Sequence, residues 1–139
     1  MARRSAAGFT LIELMITVAV IAILAAVAYP SYTRYIVRAN RAAAQGYMVE
    51  VSSLQHRYLL DARSYAADMA TLNTTVPSNI AANYTIETAP KPNPPPLGFT
   101  VTATPKNAQL ARDTACGTLT IDEAGAKTAS GAGGTTQCW

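Results

Sequence analysis

The chain contains few of the residues from which catalytic and metal sites are built. Among 139 residues there are one histidine and two cysteines, and only 14 % of the residues are charged. His56 has no cysteine or second histidine at ligand spacing, so the sequence predicts no metal site. No glycine-rich phosphate loop and no recognisable nucleophile motif is present. These absences argue against an enzyme and against a bound cofactor.

Charge is scarce and almost balanced. The chain has 11 basic and 8 acidic side chains, which gives a formal net charge of +3. Arg3 and Arg4 belong to a short basic leader, and without these two the basic and acidic side chains nearly cancel. A near-neutral chain of this kind is not a general polyanion binder.

The two cysteines, Cys116 and Cys138, both lie in the last quarter of the sequence. They follow an apolar segment that could anchor the chain in a membrane. An even number of cysteines in an exported domain is typical of a disulfide, so we expect an oxidising, extracytoplasmic environment. Closing a loop of this size stabilises a domain by about 3 kcal/mol on the chain-entropy model.

One long apolar run, from Phe9 to Tyr29, dominates the N-terminal part of the sequence. As a helix it would be about 32 Å long, which matches the roughly 30 Å hydrocarbon core of a bilayer. Glu13 is the one carboxylate within it. An ionisable side chain in a membrane segment costs roughly 2.5 to 3.5 kcal/mol, so its presence indicates a partner and a function. Pro30 ends the run and predicts a break or kink, after which the helix resumes.

The next segment, Ser31 to about Leu60, has a helical pattern. Its apolar stripe has spacings of four, three and four residues, and its members are Tyr47, Val51, Leu54 and Tyr58. A connecting region follows, in which we expect a short helical piece around Tyr65 to Leu72, ended by Pro77. The stripe predicts that this helix packs onto the strand-rich segment that comes after it.

Three later segments alternate apolar and polar residues, as half-buried strands do: Tyr84 to Thr88, Phe99 to Thr104 and Thr118 to Asp122. The proline-rich stretch Pro90 to Pro96 predicts a stiff, extended loop between the first two strands. Gly125 indicates a turn, and Ser130 to Gly134 a flexible stretch. The pattern predicts an α+β fold, with one long helix on a small antiparallel sheet.

The N-terminus resembles the prepilin signal of type IV pilins. A basic leader, a Gly8-Phe9 junction and the string Phe9-Thr10-Leu11-Ile12-Glu13 carry the likeness. Arg57-Tyr58, Ser64-Tyr65 and the stretch from Cys116-Gly117-Thr118 to Cys138-Trp139 resemble the globular domain of PilE-type minor pilins. The resemblance implies three parts: a leader (1–8), a hydrophobic transmembrane and filament-core helix with a protruding half (9–30), and a helix half with a β-sheet domain and C-terminal disulfide loop (31–139).

The resemblance also implies roles for single residues. A prepilin peptidase would cut after Gly8 and methylate Phe9, and Glu13 would pair with the N-terminal amine of a neighbouring subunit. Pro30 would mark where the helix loses hydrogen bonds in a filament, or would simply aim the domain. The chain would cross the inner membrane once before assembly, contact the inner-membrane assembly machinery, and join other pilin subunits in an extracellular pilus.

The leading hypothesis is a structural subunit, a minor pilin that helps pilus assembly and hence adhesion and twitching motility. One alternative is a DNA-binding minor pilin for natural transformation, and another is a pseudopilin of a type II secretion system. Three arginines share a helix face and could form a phospholipid-facing collar, subunit salt bridges or DNA contacts: Arg34, Arg38 and Arg41. The other candidate DNA contacts are Arg57, Arg63, Lys91, Lys106, Arg112 and Lys127.

Overall fold

The computed structural model describes residues 8–92 and 97–139. The chain forms two units, which divide between Ile36 and Val37. The expected boundary after Pro30, between a filament-core helix and the rest of the chain, stays a prediction. The leader prediction, up to residue 7, lies outside the described residues, as do Asn93 to Pro96 of the expected proline-rich loop. Both therefore stay predictions.

A single helix, α1, runs from Leu11 to Ala62. It begins after Thr10, whose Oγ1 accepts a hydrogen bond from the Glu13 backbone N–H at 3.3 Å and whose carbonyl accepts one from Leu14 at 3.2 Å. Thr10 thus satisfies backbone donors that the first turn leaves free. In the single chain α1 continues through Pro30. A break there stays a prediction for the assembled filament.

The first unit contains the apolar part of α1. All residues from 8 to 32 are exposed, including 14 large apolar side chains from Phe9 to Tyr32. By length and composition this helix could cross a membrane. A helix that is apolar all round is found in a membrane or in the interior of a larger assembly.

The second unit contains a four-stranded antiparallel sheet with the order β1-β2-β3-β4. Its strands are β1 (Tyr84–Pro90), β2 (Phe99–Pro105), β3 (Leu119–Asp122) and β4 (Lys127–Ala129). The three expected strands are confirmed. The proline-rich loop does not begin at Pro90 as expected, because Pro90 is the last residue of β1 and pairs with Phe99, and a proline at the end of a strand removes only one backbone donor. The fourth was missed because it has only three residues and no apolar alternation. Three short helices accompany the sheet: α2 (Ser78–Ala81), α3 (Asn107–Arg112) and α4 (Gly134–Cys138).

The core of this unit lies between the sheet and the part of α1 after Val37. Alternate strand residues face inward and are almost fully buried, led by Tyr84, Phe99 and Leu119. From the helix, Tyr47, Met48 and Val51 belong to the same cluster, and the predicted helix-on-sheet packing is confirmed. Within the expected stripe, Tyr47 and Val51 are buried, whereas Leu54 and Tyr58 are half-buried.

The helical piece expected around Tyr65 to Leu72 is wrong, because this segment forms bends and turns. The Asp68 carboxylate accepts hydrogen bonds from the Thr71 N–H and hydroxyl, both at 2.8 Å. Such a side chain offers the backbone an alternative to helical hydrogen bonding. Pro77, expected to end a helix, precedes the start of α2 instead, because its fixed φ suits the first turn of a helix.

The stretch Ser130 to Gly134, expected to be flexible, is tied down by backbone hydrogen bonds to the segment before β3. The Gly131 N–H donates to the Cys116 carbonyl at 2.9 Å, and the Gly133 N–H donates to the Ala115 carbonyl at 2.7 Å. Cys116 and Cys138 form the expected disulfide across this loop. Gly131 packs directly against the Ala115 backbone, which leaves no room for a Cβ atom.

Candidate assembly site

The start of α1 brings three of the sequence-predicted residues together. Gly8 and Phe9 precede the helix and are exposed, and Glu13 lies in the first helical turn, also exposed. Within residues 8–92 and 97–139, the Glu13 carboxylate has no salt-bridge partner. The residues around it, from Leu11 to Val27, are almost all apolar. A single carboxylate therefore lies on a wide apolar surface.

The local structure reveals a feature of Glu13 that the sequence reasoning missed. Thr10 and Glu13 are spaced as in a capping box, where a threonine before the helix and a glutamate three residues later share the free backbone donors. The Thr10 half of this arrangement is present. A carboxylate in the first turn also interacts favourably with the helix dipole, by about 0.3 to 1 kcal/mol. Glu13 is therefore compatible with helix initiation while its carboxylate stays available to another group.

Pro30 does not belong to this site. At about 1.5 Å per residue, it lies roughly 25 Å along α1 from Glu13. Its carbonyl oxygen accepts side-chain hydrogen bonds from Thr33 Oγ1 at 3.1 Å and from Arg34 Nε at 3.2 Å. Both bonds lie in the turn after Pro30, whereas the N–H that Pro30 lacks would have donated to the turn before it.

In the second unit, a buried polar network connects α1 to the segment before the disulfide. Arg41 Nη1 lies 2.9 Å from Asp113 Oδ1, and both side chains are nearly buried. The other Asp113 oxygen accepts hydrogen bonds from the Tyr84 hydroxyl at 3.1 Å and from Gln109 Nε2 at 3.0 Å. Burial, together with the nearby Asp113 charge, raises the pKa of Tyr84. Tyr84 is therefore a neutral hydrogen-bond donor at physiological pH.

The same network reaches the disulfide. Arg41 Nη1 contacts Cys116 Sγ, and the Gln45 side chain donates to the Cys138 carbonyl. The Gln109 side chain also donates to the Val37 carbonyl, at 3.0 Å. Arg41 and Gln45 thus hold the two ends of the disulfide loop against α1, and Gln109 holds α3 against the same helix. Of the three arginines expected on one helix face, Arg41 is engaged within its own chain.

A second charged group, at the other end of the sheet, is on the surface. Lys91 Nζ donates to Glu123 Oε1 at 2.9 Å and lies 2.7 Å from Oε2, an ionic contact without hydrogen-bond geometry. It also lies 3.4 Å from Asp122 Oδ2. The hydrogen bond to Glu123 raises the pKa of Lys91, and the same bond lowers the pKa of Glu123. Lys91 is therefore poorly available to an external anion.

The family of the chain follows from two matches with known protein families. Residues 3–29 match the prokaryotic N-terminal methylation motif. Residues 30–120 match a family described as "Type IV minor pilin ComP, DNA uptake sequence receptor". The chain belongs to this type IV pilin family. The long helix, small antiparallel sheet and C-terminal disulfide of this pilin agree with the fold expected from the sequence.

Individual relatives carry pilus names as well. This pilin is 40 % identical over 82 residues to "Type IV wide pilus major component PilA4" of Thermus thermophilus, a match that covers 59 % of this chain and 63 % of the relative. It is 45 % identical over 67 residues to "Fimbrial protein" of Moraxella nonliquefaciens, covering 44 % of each chain. A "Type IV major fimbrial protein FimA" of Dichelobacter nodosus is 67 % identical over 33 residues, 24 % of this chain and 21 % of the relative. The chain thus matches less than two thirds of the length of each.

Proposed function

We propose that this pilin is a minor structural subunit of a type IV pilus that waits in the inner membrane and then joins an extracellular filament. The observation that carries the proposal is the surface of its first unit. Every residue from 8 to 32 is exposed, and that surface is apolar except for a few polar side chains, of which Glu13 is the only acid. Apolar area of this extent is stable when lipid or other subunits cover it.

Assembly would replace lipid by neighbouring helices and would give Glu13 a partner. Cleavage after Gly8 would leave an amine on Phe9, which the peptidase would then methylate without removing its positive charge. At 4 Å and an effective dielectric constant near 20, an amine and a carboxylate attract by about 4 kcal/mol. Because an unpaired buried charge is costly, a subunit that brings the amine of Phe9 to Glu13 of its neighbour is favoured over one that does not.

The test of this role compares two glutamates of α1. Glu13→Gln keeps the side-chain volume and removes the charge, and Glu50→Gln is the matched control because Glu50 is exposed on the same helix. We expect the Glu13 variant to reach the membrane and to fall by about tenfold or more in sheared pili, since the loss exceeds about 1.4 kcal/mol. Normal incorporation of Glu13→Gln, or equal loss in both variants, would refute the role of Glu13.

Processing and abundance need a separate measurement. Quantitative mass spectrometry of sheared pili should find the N-terminal peptide beginning at methylated Phe9, at trace levels relative to the dominant subunit. A dominant amount would make this chain a major pilin, as the names of the Thermus thermophilus and Dichelobacter nodosus relatives would suggest. A peptide that still carries Gly8 would contradict the cleavage site.

A second candidate function is that of a DNA receptor, and the description of the matched family favours it. Not all basic side chains are equally available for this role. Arg41 pairs with Asp113, and Lys91 pairs with Glu123 and Asp122. Lys106 and Arg112 flank α3, so they lie at the two ends of one short helix, about 9 Å long. They are the first candidates for contacts with phosphates.

Duplex binding of the purified chain in detergent tests this second role. Charge reversal of both Lys106 and Arg112 should weaken binding and reduce its dependence on salt, because each lost phosphate contact lowers the salt slope by about one. Arg57→Glu reverses the charge of a candidate contact on a different element, the exposed Arg57 of α1, and shows whether any loss of binding is specific to the α3 surface. Unchanged affinity and salt slope in the double variant would exclude this surface. The pseudopilin alternative is disfavoured by the pilin and fimbrial names of the matched family and relatives.

A further inference from the structure

Three tyrosines at regular spacing mark the end of the apolar run of α1 and the residues just after it. Tyr29, Tyr32 and Tyr35 are 68 %, 64 % and 63 % exposed. At three residues apart, each is rotated by about 60° from the one before, and together they extend over about 9 Å of the helix axis. Tyrosine is enriched at membrane–water interfaces because its ring is apolar and its hydroxyl is polar. The axial extent of the three rings is close to the 5 to 7 Å of a headgroup layer.

Arg34 lies among these tyrosines, and its side chain extends back toward the apolar run. Its Nε donates to the Pro30 carbonyl at 3.2 Å, which places the guanidinium about one turn before its own Cα. Pro30 directly follows Tyr29, the last residue of the apolar run. The charge of Arg34 therefore lies where the hydrocarbon core would end, and the rest of the guanidinium stays free to donate to an external anion.

The surrounding sequence provides no acid for this arginine. No aspartate or glutamate occurs between Glu13 and Glu50, a stretch that contains Arg34, Arg38 and Arg41. Of these three, only Arg41 has a salt bridge within the part of the chain that the structure describes. The positive charge of Arg34 is thus uncompensated at the expected level of the headgroups.

We propose that Tyr29, Tyr32, Tyr35 and Arg34 form an interfacial collar that binds anionic phospholipid headgroups while the subunit waits in the membrane. The inference rests on the membrane-anchored stage proposed above and adds its lipid chemistry. The three rings set the depth of α1, and the Arg34 guanidinium donates to a lipid phosphate at the base of the headgroup layer. Lys or Arg side chains near such a surface contribute a preference for anionic lipid of about fivefold each.

Lipid selectivity measured on the full chain tests the role of Arg34. The chain is reconstituted in vesicles of phosphatidylcholine and phosphatidylglycerol at three to one, and spin-labelled lipids report which headgroup is held at the protein. We expect the wild type to prefer phosphatidylglycerol, and Arg34→Gln to lose about fivefold of that preference. Arg57→Gln, at an exposed position of α1 in the second unit, should behave like the wild type. Equal selectivity in Arg34→Gln and the wild type would overturn the proposal.

The depth of the helix tests the tyrosines. Cys116 and Cys138 are joined in a disulfide, so Ser31→Cys would introduce a single thiol for a nitroxide label. Replacing the three tyrosines by alanine should shift the depth of this label by at least about 3 Å, the rise of two residues. An unchanged depth would overturn the anchoring role. A chain that does not float with vesicles would refute the membrane stage itself, whereas one that floats without lipid preference would refute only the collar.

Discussion

The two stretches of α1, before Ile36 and after Val37, differ in how their apolar side chains are covered. Before Ile36 the helix is rich in alanine, valine, isoleucine and leucine, and none of its described side chains is buried. After Val37 the helix is more polar, yet Ala44, Met48, Val51 and Gln55 are fully covered. The less apolar stretch is thus the buried one within this chain.

The comparison shows that burial follows the arrangement of apolar residues rather than their number. In the second stretch the apolar residues form a stripe on one face of the helix. The sheet covers this stripe, so these residues are buried within their own unit. In the first stretch they surround the helix, so a single sheet could cover only part of them. Lipid or many neighbouring helices can cover all sides, which is why the first stretch requires a membrane or a filament.

Replacing an arginine in each stretch should give the largest difference in the free energy of unfolding. Arg41→Gln leaves Asp113 buried without its cation, and we expect a loss of about 3 to 5 kcal/mol in the free energy of unfolding. Arg34→Gln, on the exposed stretch, should change it by less than about 0.5 kcal/mol. Urea unfolding of the full chain in detergent, followed by the fluorescence of Trp139, measures both. Similar losses in the two variants would contradict the contrast.

Each stretch of α1 contains a methionine whose replacement by alanine can be compared with the other. Met48 is fully buried, whereas Met15 is 62 % exposed. Met48→Ala should lower the free energy of unfolding by about 3 kcal/mol, because it removes core contacts and leaves a cavity. Met15→Ala should leave that free energy unchanged in detergent and affect only pilus incorporation. A destabilisation by Met15→Ala as large as that by Met48→Ala would contradict the assignment of separate roles.

A buried glutamine, Gln55, lies among the covered residues of the second stretch. Gln55 Nε2 donates to the Ala66 carbonyl at 3.1 Å and to Thr88 Oγ1 at 2.9 Å, and its Oε1 accepts from the Ala66 N–H at 2.8 Å. Gln55→Leu keeps the volume but leaves buried partners unsatisfied, so we expect a loss of about 2 kcal/mol in the free energy of unfolding. Gln137→Leu, at an exposed position, is the control. Equal stability of Gln55→Leu and the wild type would show that these hydrogen bonds contribute no net stability.

The smallest expected effect concerns pH and the surface contact of Lys91. The hydrogen bond from Lys91 lowers the pKa of Glu123 below its ordinary 4.5. A carboxyl group with a lower pKa in the folded state stabilises the protein above about pH 4.5, and this contribution is lost as the pH falls through the folded-state pKa. Because the contact with Lys91 lies at the surface, where solvent screens it, the contribution is small.

Glu123→Gln should therefore make the fall in the unfolding midpoint between pH 6 and pH 3 shallower than in the wild type. Glu87→Gln is the control, since Glu87 is exposed on β1 and has no salt bridge among the described residues. If the two variants show the same acid dependence as the wild type, the contact with Lys91 does not persist in solution.

The sequence allowed the long elements and their packing to be predicted because their signals are repetitive. Alternation over five or six residues indicated β1, β2 and β3, and the four-and-three spacing from Tyr47 indicated the packed face of α1. Prediction from the sequence failed where a hydrogen bond with a nearby side chain determines the backbone conformation. Asp68 bonds to Thr71 and forms a turn where a helix was expected, and the three residues of β4 are too few for a pattern.

Some residues of the candidate sites could be predicted from the sequence, and others could not. Gly8, Phe9 and Glu13 could be found from the sequence because their chemistry depends on contiguous residues at the start of one helix. The pairing of Arg41 with Asp113 could not be predicted from the sequence, because 72 residues separate the two. Arg41 and Arg34 also share one helix face, so the sequence pattern does not distinguish them.

Four features can be read from the sequence alone: the apolar run, its lone carboxylate, the strand periodicity and the presence of two cysteines available for one disulfide. These are properties of residues adjacent in the chain or in a helical repeat. The folded structure was needed to establish which arginine is neutralised, which glutamine is buried and which side chains hold the disulfide loop against α1. Such contacts depend on which residues the sheet brings to the helix, because distant side chains meet only after the chain has folded.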